Sequence, residues 1–303
     1  MGTPAFAVPA LERLTEIYEV VAVFTQPDRP SGRGKKLKMS PVKLLAQEKG
    51  IPVYQPEKIR RESVETLREL QPDLCVTAAF GQILSQEILD IPRMGTVNVH
   101  ASLLPRHRGA APIAWAIWQG DSRIGVTTMM TEKGIDNGDM LLSRAFDRDP
   151  ALTCGEWTER LSVEGADLLM ETLARMENGT CPRTAQDEAE MTYDPMLKKE
   201  MGDLSFDETA HSVRDWIHAL NPWPCCSVPY ADGRMKLLRA EVTEGSGLPG
   251  TVLKASAQDG LVIACREGAV RLVEIQQSGG KAMRDVDYLR GHRIEVGQRF
   301  GQE

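Results

Sequence analysis

The sequence predicts an α/β fold: a first domain built on a largely parallel sheet, followed by a small β-barrel domain. Three observations carry this reading. Apolar runs of strand length alternate with amphipathic helical patterns as far as Met176. The alternation stops over residues 178–200, where Gly179, Pro182 and Pro195 sit among mixed polar residues, the composition of an inter-domain linker. Beyond it, short β-like runs with turn signals between them suggest a barrel. The expected boundaries are 1–178 for the first domain, 179–200 for the linker and 201–303 for the second domain.

Met1-Gly2-Thr3-Pro4 is turn chemistry, after which Val8, Leu11, Leu14 and Ile17 share one helical face. Residues 20–25, V-V-A-V-F-T, form an apolar run of buried-strand length. A helix followed by a buried strand points to a parallel sheet. Such a sheet is expected to open with a strand ahead of Gly2, and the sequence begins where that strand should end. An interrupted sheet at this point would lose ladder hydrogen bonds and apolar contact. Residues 26–41 read as a loop, 42–49 as a helix and 51–54 as a short strand. A second helix over 62–70 is stopped by Gln71-Pro72. A buried strand over 73–80 runs into Gly81, a short helix covers 85–89, and a new strand opens at Thr96. The apolar helix over 111–119 carries Trp115 and Trp118, both expected in a core. Strands over 124–130 and 140–146 flank a glycine-rich loop at 131–139. A long amphipathic helix over 153–176 has Thr153 as its N-cap and Gly179 near its end. One more helix, 207–220, is stopped by Asn221-Pro222-Trp223-Pro224, and the β-like runs follow at 227–230, 235–240, 250–255, 261–265 and 269–276.

Composition narrows the class. A length of 303 residues suits two domains, and 42% hydrophobic with 26% charged residues is ordinary globular usage. No apolar run approaches a membrane span, and the N-terminus lacks the charged-then-apolar layout of a signal peptide. The six cysteines include no C-x-x-C and the five histidines no close pair. That pattern argues against a metal site and a disulfide framework, and suits a reducing cytoplasm. Net charge is −7, so binding to nucleic acid needs a local basic patch. One exists: between Asp28 and Lys43 stand Arg29, Arg33, Lys35, Lys36, Lys38 and Lys43 against the single acid Asp28. The run is compatible with a solvated loop, but its prolines, glycines and single sign point to phosphate contact. It is not a Walker loop, because Gly34-Lys35 is followed by Lys36 and residue 29 is not glycine.

The chemistry-bearing stretch is T-V-N-V-H-A-S-L-L-P-R-H-R-G, Thr96 to Gly109. Residues two apart in a strand share a face, so Asn98 and His100 stand side by side. An amide donor beside an imidazole is a kit for a developing oxyanion and a moving proton, although it also reads as a satisfied strand end. Asp136, in G-I-D-N-G-D-M, is turn chemistry by itself; brought near His100 it would orient the ring. No G-x-G-x-x-G follows a strand and no G-x-S-x-G is present, which disfavours a nicotinamide enzyme and a nucleophile elbow.

Together, N-V-H-A-S-L-L-P-R-H-R-G and G-I-D-N-G-D-M resemble the 10-formyltetrahydrofolate-dependent formyltransferase family. The opening Gly2-Thr3-Pro4-Ala5-Phe6-Ala7-Val8-Pro9 is similar to that family's opening. Gln26-Pro27-Asp28-Arg29-Pro30, Gly32-Arg33-Gly34-Lys35-Lys36 and Ser40-Pro41-Val42-Lys43 resemble its branch that formylates methionyl-tRNA. So do Ala219-Leu220-Asn221-Pro222-Trp223-Pro224 and Leu289-Arg290-Gly291 in the tail, and the likeness spans nearly the whole chain. The resemblance implies a Rossmann-like formyltransferase domain, a linker and an OB-like β-barrel domain that binds tRNA. It implies Asn98, His100 and Asp136 as the catalytic trio, moving a formyl group from 10-formyltetrahydrofolate to the α-amine of initiator methionyl-tRNA. The product is N-formylmethionyl-tRNA for translation initiation. It further implies Ser102, Leu103, Leu104 and Pro105 as the folate-contacting segment, with Phe80 and Gly81 lining the pterin pocket. Arg33, Lys35, Lys36 and Lys38 would face the tRNA acceptor stem, Arg33 foremost because its planar fork reads a base edge. A cytoplasmic monomer without membrane contact or metal is expected.

Against the tRNA branch, residues 201–303 hold 12 basic and 14 acidic residues, a net of −2, so any basic face there must come from segregation. A nucleotide-sugar formyltransferase shares N-x-H and S-L-L-P but has no use for the basic loop. A glycinamide ribonucleotide formyltransferase lacks the second domain. A non-catalytic RNA-binding protein leaves Asn98, His100 and Asp136 unexplained.

Overall fold

The apolar runs of the first half become strands in the expected order: those at 20–25, 51–54 and 73–80 are trimmed, while those at 124–130 and 140–146 each gain one residue. The structure, a computed structural model, describes residues 1–31, 36–231 and 233–300. By contacts the chain divides into two units: Met1–Gly109, Ile124–Phe146 and Thr158–Tyr193 form the first, and Ala110–Arg123, Asp147–Trp157 and Asp194–Glu303 the second. Two segments that the linear boundaries assign to the first domain, 110–123 and 147–157, therefore cluster with the C-terminal part.

In the first unit, α1 (Val8–Ile17) precedes β1 (Val23–Phe24). Within the expected loop, β2 (Arg29–Ser31) and β3 (Lys36–Lys38) pair antiparallel. α2 (Pro41–Glu48) is started by Ser40, whose hydroxyl accepts from Lys43 N, with Pro41 in its first turn. β4 (Val53–Tyr54) then pairs parallel with β1. The expected second helix is two, α3 (Ile59–Glu62) and α4 (Val64–Leu70), and Gln71 ends the latter in the left-handed conformation at φ 47°. β5 (Cys75–Ala78), α5 (Gln86–Leu89), β6 (Thr96–His100) and the two-residue β7 (Arg108–Gly109) follow. After α6 (Pro112–Trp118) come β8 (Arg123–Met130) and β9 (Met140–Asp147). The sheet order is β5-β6-β8-β9, with β6 parallel to β5 and antiparallel to β8.

Met1 and Gly2 stand where a central strand is expected. Gly2 N donates to Phe24 O at 3.0 Å, while Ala78 N donates to Met1 O at 3.0 Å and Met1 N to Val76 O at 2.7 Å. These two residues are the bridge between the β1-β4 pair and the four-stranded sheet. Alongside lies a cavity of about 460 Å³ lined by Met1, Leu14, Val21, Leu70, Val76 and Leu173 among others. Burial pushes the Met1 ammonium pKa down, since the charged form has left water.

α7 (Cys154–Glu177) realises the long helix, started by a reciprocal cap in which Thr153 N donates to Glu156 Oε2 at 2.8 Å and Glu156 N to Thr153 Oγ1 at 3.4 Å. Gly179, at φ 67°, closes its other end. β10 (Tyr193–Asp194) follows.

The second unit packs α8 (Ala210–Ala219) against α6 and one sheet. That sheet comprises β11 (Cys226–Tyr230), β12 (Gly233–Thr243), β13 (Val252–Ser256), β14 (Gly260–Ala264), β15 (Ala269–Gln277) and β16 (Met283–Arg284). Its order is β11-β12-β15-β14-β13, with β16 added on β15; among the described residues β11 and β13 do not pair, so the sheet does not close. α9 (Asp285–Gly291), unforeseen in the sequence reading, seals the sheet through Asp285. That fully buried carboxylate takes Leu261 N, Val286 N and two bonds from Arg271. Burial alone would raise its pKa, but these donors outweigh it and hold the pKa down. Trp118 stacks on Trp115 and on Trp216 at 5.2 Å centroid distances.

Candidate active site

β6 carries the site. Its Thr77 neighbour on β5 lies opposite Asn98 in parallel register. The Thr77 hydroxyl donates to Asn98 Oδ1 at 2.9 Å, which occupies the amide oxygen and fixes the orientation of the amide, with the nitrogen as its donor end. Two residues on, His100 is 6% exposed and its Nε2 meets His107 O at 2.8 Å. A carbonyl only accepts, so Nε2 carries a proton. The other ring nitrogen, Nδ1, faces Asp136 Oδ2 at 3.7 Å.

Asp136 reaches that position from the β8–β9 loop in the left-handed conformation, φ 48°. Its Oδ2 also accepts from Gly109 N at 2.9 Å. The Gln186 amide nitrogen ties the loop down, donating to Asp136 O and Gly138 O at 2.8 Å each. A Cβ at Gly138 would lie 2.0 Å from Met130 O, which is why glycine stands there. Arg108, buried beside the same loop, bonds Gln186 Oε1 at 2.9 Å through Nε and Glu188 through both terminal nitrogens.

The turn after β6 is folded back by Thr127, the β8 residue opposite His100. Its hydroxyl donates to Ser102 O at 2.7 Å and accepts from Leu104 N at 3.4 Å. Ser102 Oγ donates to Arg106 O at 2.8 Å, and the Leu104-Pro105 peptide is cis. Leu103 packs where a side chain at Gly125 would otherwise stand, 2.4 Å from that missing Cβ. Ser102, Leu103, Leu104 and Pro105 thus form a pinned turn beside His100. The Phe80 ring packs into an apolar cluster with Phe24, Ile59, Leu67 and Ile88. Its carbonyl and that of Gly81, at φ 77°, are held by Gln26 Nε2 at 3.3 and 3.1 Å.

Of the basic loop, Lys38 is exposed on β3. Arg33 and Lys35 lie outside the described residues, as does the side chain of Lys36. At the loop's base, Lys43 pairs with Asp28 at 2.6 Å and bonds Gln55 at 2.7 Å. The hydrogen bonds from Lys43 and Gln55 hold the Asp28 carboxyl below the usual carboxylate range. Lys43 and the one acid of the loop therefore cancel. By sequence, the positive surplus of this stretch is then that of Arg29, Arg33, Lys35, Lys36 and Lys38.

Sequence motifs do not single out Gln186, Glu188 or Arg108: Arg108 is the second arginine of P-R-H-R-G, and Gln186 and Glu188 fall in a stretch whose composition reads as linker. Among the described residues no group of three or more His, Cys, Asp or Glu is placed to hold a metal ion. The assembled groups can donate a hydrogen bond from an amide to a developing anion and carry a proton on a carboxylate-faced imidazole.

Residues 5–173 match the family model described as formyl transferase, and residues 196–293 the one described as formyl transferase, C-terminal domain. The methionyl-tRNA formyltransferase of Acetivibrio thermocellus is 46% identical over 307 residues, covering 100% of this chain and 98% of that protein. That of Geotalea daltonii is 48% identical over 306 residues, covering 100% and 97%. Among solved structures, the N-formyltransferase of Helicobacter canadensis, in complex with folinic acid and dTDP-3-aminofucose, superposes with a TM-score of 0.67. It shares 18% identity, covering 90% of this chain and 96% of that one, a likeness of fold.

Proposed function

This chain belongs to the methionyl-tRNA formyltransferase family, and from that premise we propose that it formylates the α-amine of initiator methionyl-tRNA. The observation that carries the site assignment is the convergence of Asn98, His100 and Asp136, with Nδ1 of the ring 3.7 Å from the carboxylate.

The donor, 10-formyltetrahydrofolate, supplies an activated formyl carbon on N10. The residues fit such a group: an amide donor and a ring nitrogen share one strand face beside the pinned 102–105 turn. As the methionyl amine adds to the formyl carbon, negative charge gathers on the formyl oxygen, and it returns to the carbonyl as the bond to N10 breaks. Asn98 Nδ2 is the donor to that oxygen. His100, its Nε2–H held by His107 O, uses Nδ1 to take the proton the amine sheds and pass it toward the leaving nitrogen. Asp136 balances the ring's charge while it does so. The 102–105 turn and the Phe80-Gly81 backbone flank the folate; Phe80, with its ring in the apolar cluster, contributes through main chain.

Residues 1–178 act as the transfer domain, 179–200 as the connection and 201–303 as an OB-like domain for tRNA. The six free cysteines suit a reducing cytoplasm, and the chain acts as a monomer. No helix among the described residues is long and apolar enough to cross a membrane. Arg33, Lys35, Lys36 and Lys38 contact the acceptor stem.

Incubating the protein with 10-formyltetrahydrofolate and charged initiator tRNA should give formylated methionyl-tRNA. Turnover of an amino-sugar nucleotide with none of methionyl-tRNA overturns the assignment. Arg33→Ala should sharply reduce formylation while folate binding stays intact; equal loss of both refutes the loop's role.

A further inference from the structure

We propose that residues 184–192 are a positioning strap for the His100–Asp136 pair, with Gln186 the residue that sets the Asp136 loop. The inference rests on the reading of His100 and Asp136 as transfer machinery, and gives a task to a stretch whose composition reads only as linker.

The strap is fastened at both ends. Thr184 exchanges two backbone bonds with Met140, each 2.9 Å, just past the Asp136 loop. Thr192 accepts from Arg108 N through its carbonyl at 2.9 Å and from His107 N through Oγ1 at 2.7 Å. Between them, Gln186 is 9% exposed and makes its three bonds inside the protein.

Each fastening bears on one partner of the pair. Thr192 holds His107, whose carbonyl takes His100 Nε2, and it holds Arg108, next to Gly109, whose N–H takes the Asp136 carboxylate. Gln186 holds Asp136 by its own main chain. Arg108 Nε occupies Gln186 Oε1, so the amide is oriented with its nitrogen toward the loop, and Glu188 keeps the guanidinium in place. The clamp favours the observed loop because Asp136 sits at φ 48°, a left-handed conformation that aspartate adopts more readily than most non-glycine residues but still at a cost. Without Gln186 the loop relaxes and the carboxylate leaves the ring.

Gln186→Glu in the full-length protein is the test. It keeps the size and the acceptor for Arg108, and sets a carboxylate oxygen against two carbonyls. The expected loss in kcat is about 100-fold, as for a reacting group displaced by roughly 1 Å, with KM for both substrates little changed. In an Asp136→Asn background the same change should cost less than about threefold, because the two residues act as one unit. Hydrogen exchange of the Gly109 amide should quicken about tenfold, since its acceptor has moved. A kcat within about threefold of wild type, a loss that multiplies in full with Asp136→Asn, or unchanged Gly109 exchange overturns the proposal. If the wild-type protein shows no formyl transfer, the functional reading falls, and the exchange measurement alone decides the strap. Should Gln186→Glu fail to fold, Arg108→Met, which keeps an unbranched chain but has no donor for Gln186 Oε1, is expected to show the same pattern at smaller size. Wild-type kcat and exchange in that variant overturn the proposal equally.

Discussion

Replacing His218 by glutamine should remove much of the acid sensitivity of the second unit. His218 is buried on α8, where Nδ1 donates to Pro150 O at 3.0 Å and Nε2 accepts from Ala240 N at 3.0 Å. Both nitrogens are used by the neutral ring, and protonating Nε2 breaks the second bond. Desolvation lowers its pKa from 6.5 to about 4; the bond to Pro150 O opposes it, Arg239 and Arg214 add to the lowering, and Asp215 offsets a little. A folded pKa below the unfolded one means the unfolded chain binds the proton first. The stability is therefore complete above the unfolded pKa and is lost as pH falls from 6.5 toward 4. The shift corresponds to roughly 3 kcal/mol in full, of which about 2 kcal/mol is lost between pH 7 and pH 5. His218→Gln supplies one donor and one acceptor without a titrating group, at a cost of about 1 kcal/mol at pH 7. Urea unfolding of both proteins at pH 7 and pH 5 checks this. Wild type should be the more stable at pH 7 and the less stable at pH 5. Parallel losses in the two proteins would refute the account of His218 as the buried group that must charge.

Asn98→Ala should lower kcat by about 100- to 1000-fold, the range for one oxyanion donor, with folate affinity little changed; a loss confined to KM contradicts the role given to the amide. Gly138→Ala forces a methyl group against Met130 O and must shift the Asp136 loop, so turnover should fall while the melting temperature drops by no more than about 1–3 kcal/mol of overpacking implies. Unchanged turnover would show that the loop tolerates displacement.

Local order was readable wherever the deciding contacts are close in sequence. The 20–25 and 73–80 runs became β1 and β5, cut back to the residues with a ladder partner. The T-x-x-E spacing at Thr153 and Glu156 starts α7 as expected, because a capping box needs only one helical turn to form. α9 and the β2–β3 pair went unread: the first is short and rich in acids, the second lies in a basic loop without apolar alternation.

At the candidate site the same division holds. The period of a strand by itself places Asn98 and His100 on one face, since alternation is a property of the extended backbone. The sequence also determines the surplus of positive charge ahead of α2 and the glycine that Asp136's loop requires. What it does not contain is distance. Thr77 orients Asn98 only because β5 and β6 pair in one parallel register. Asp136 meets His100 only because the β8–β9 loop is tied down by Gly109 from one side and Gln186 from the other. Gln186 is separated from Asp136 by 50 positions and from Arg108 by 78, and no periodicity links residues so far apart. Their bonds arise when the chain packs, from buried polar groups that have to find one another once water is gone.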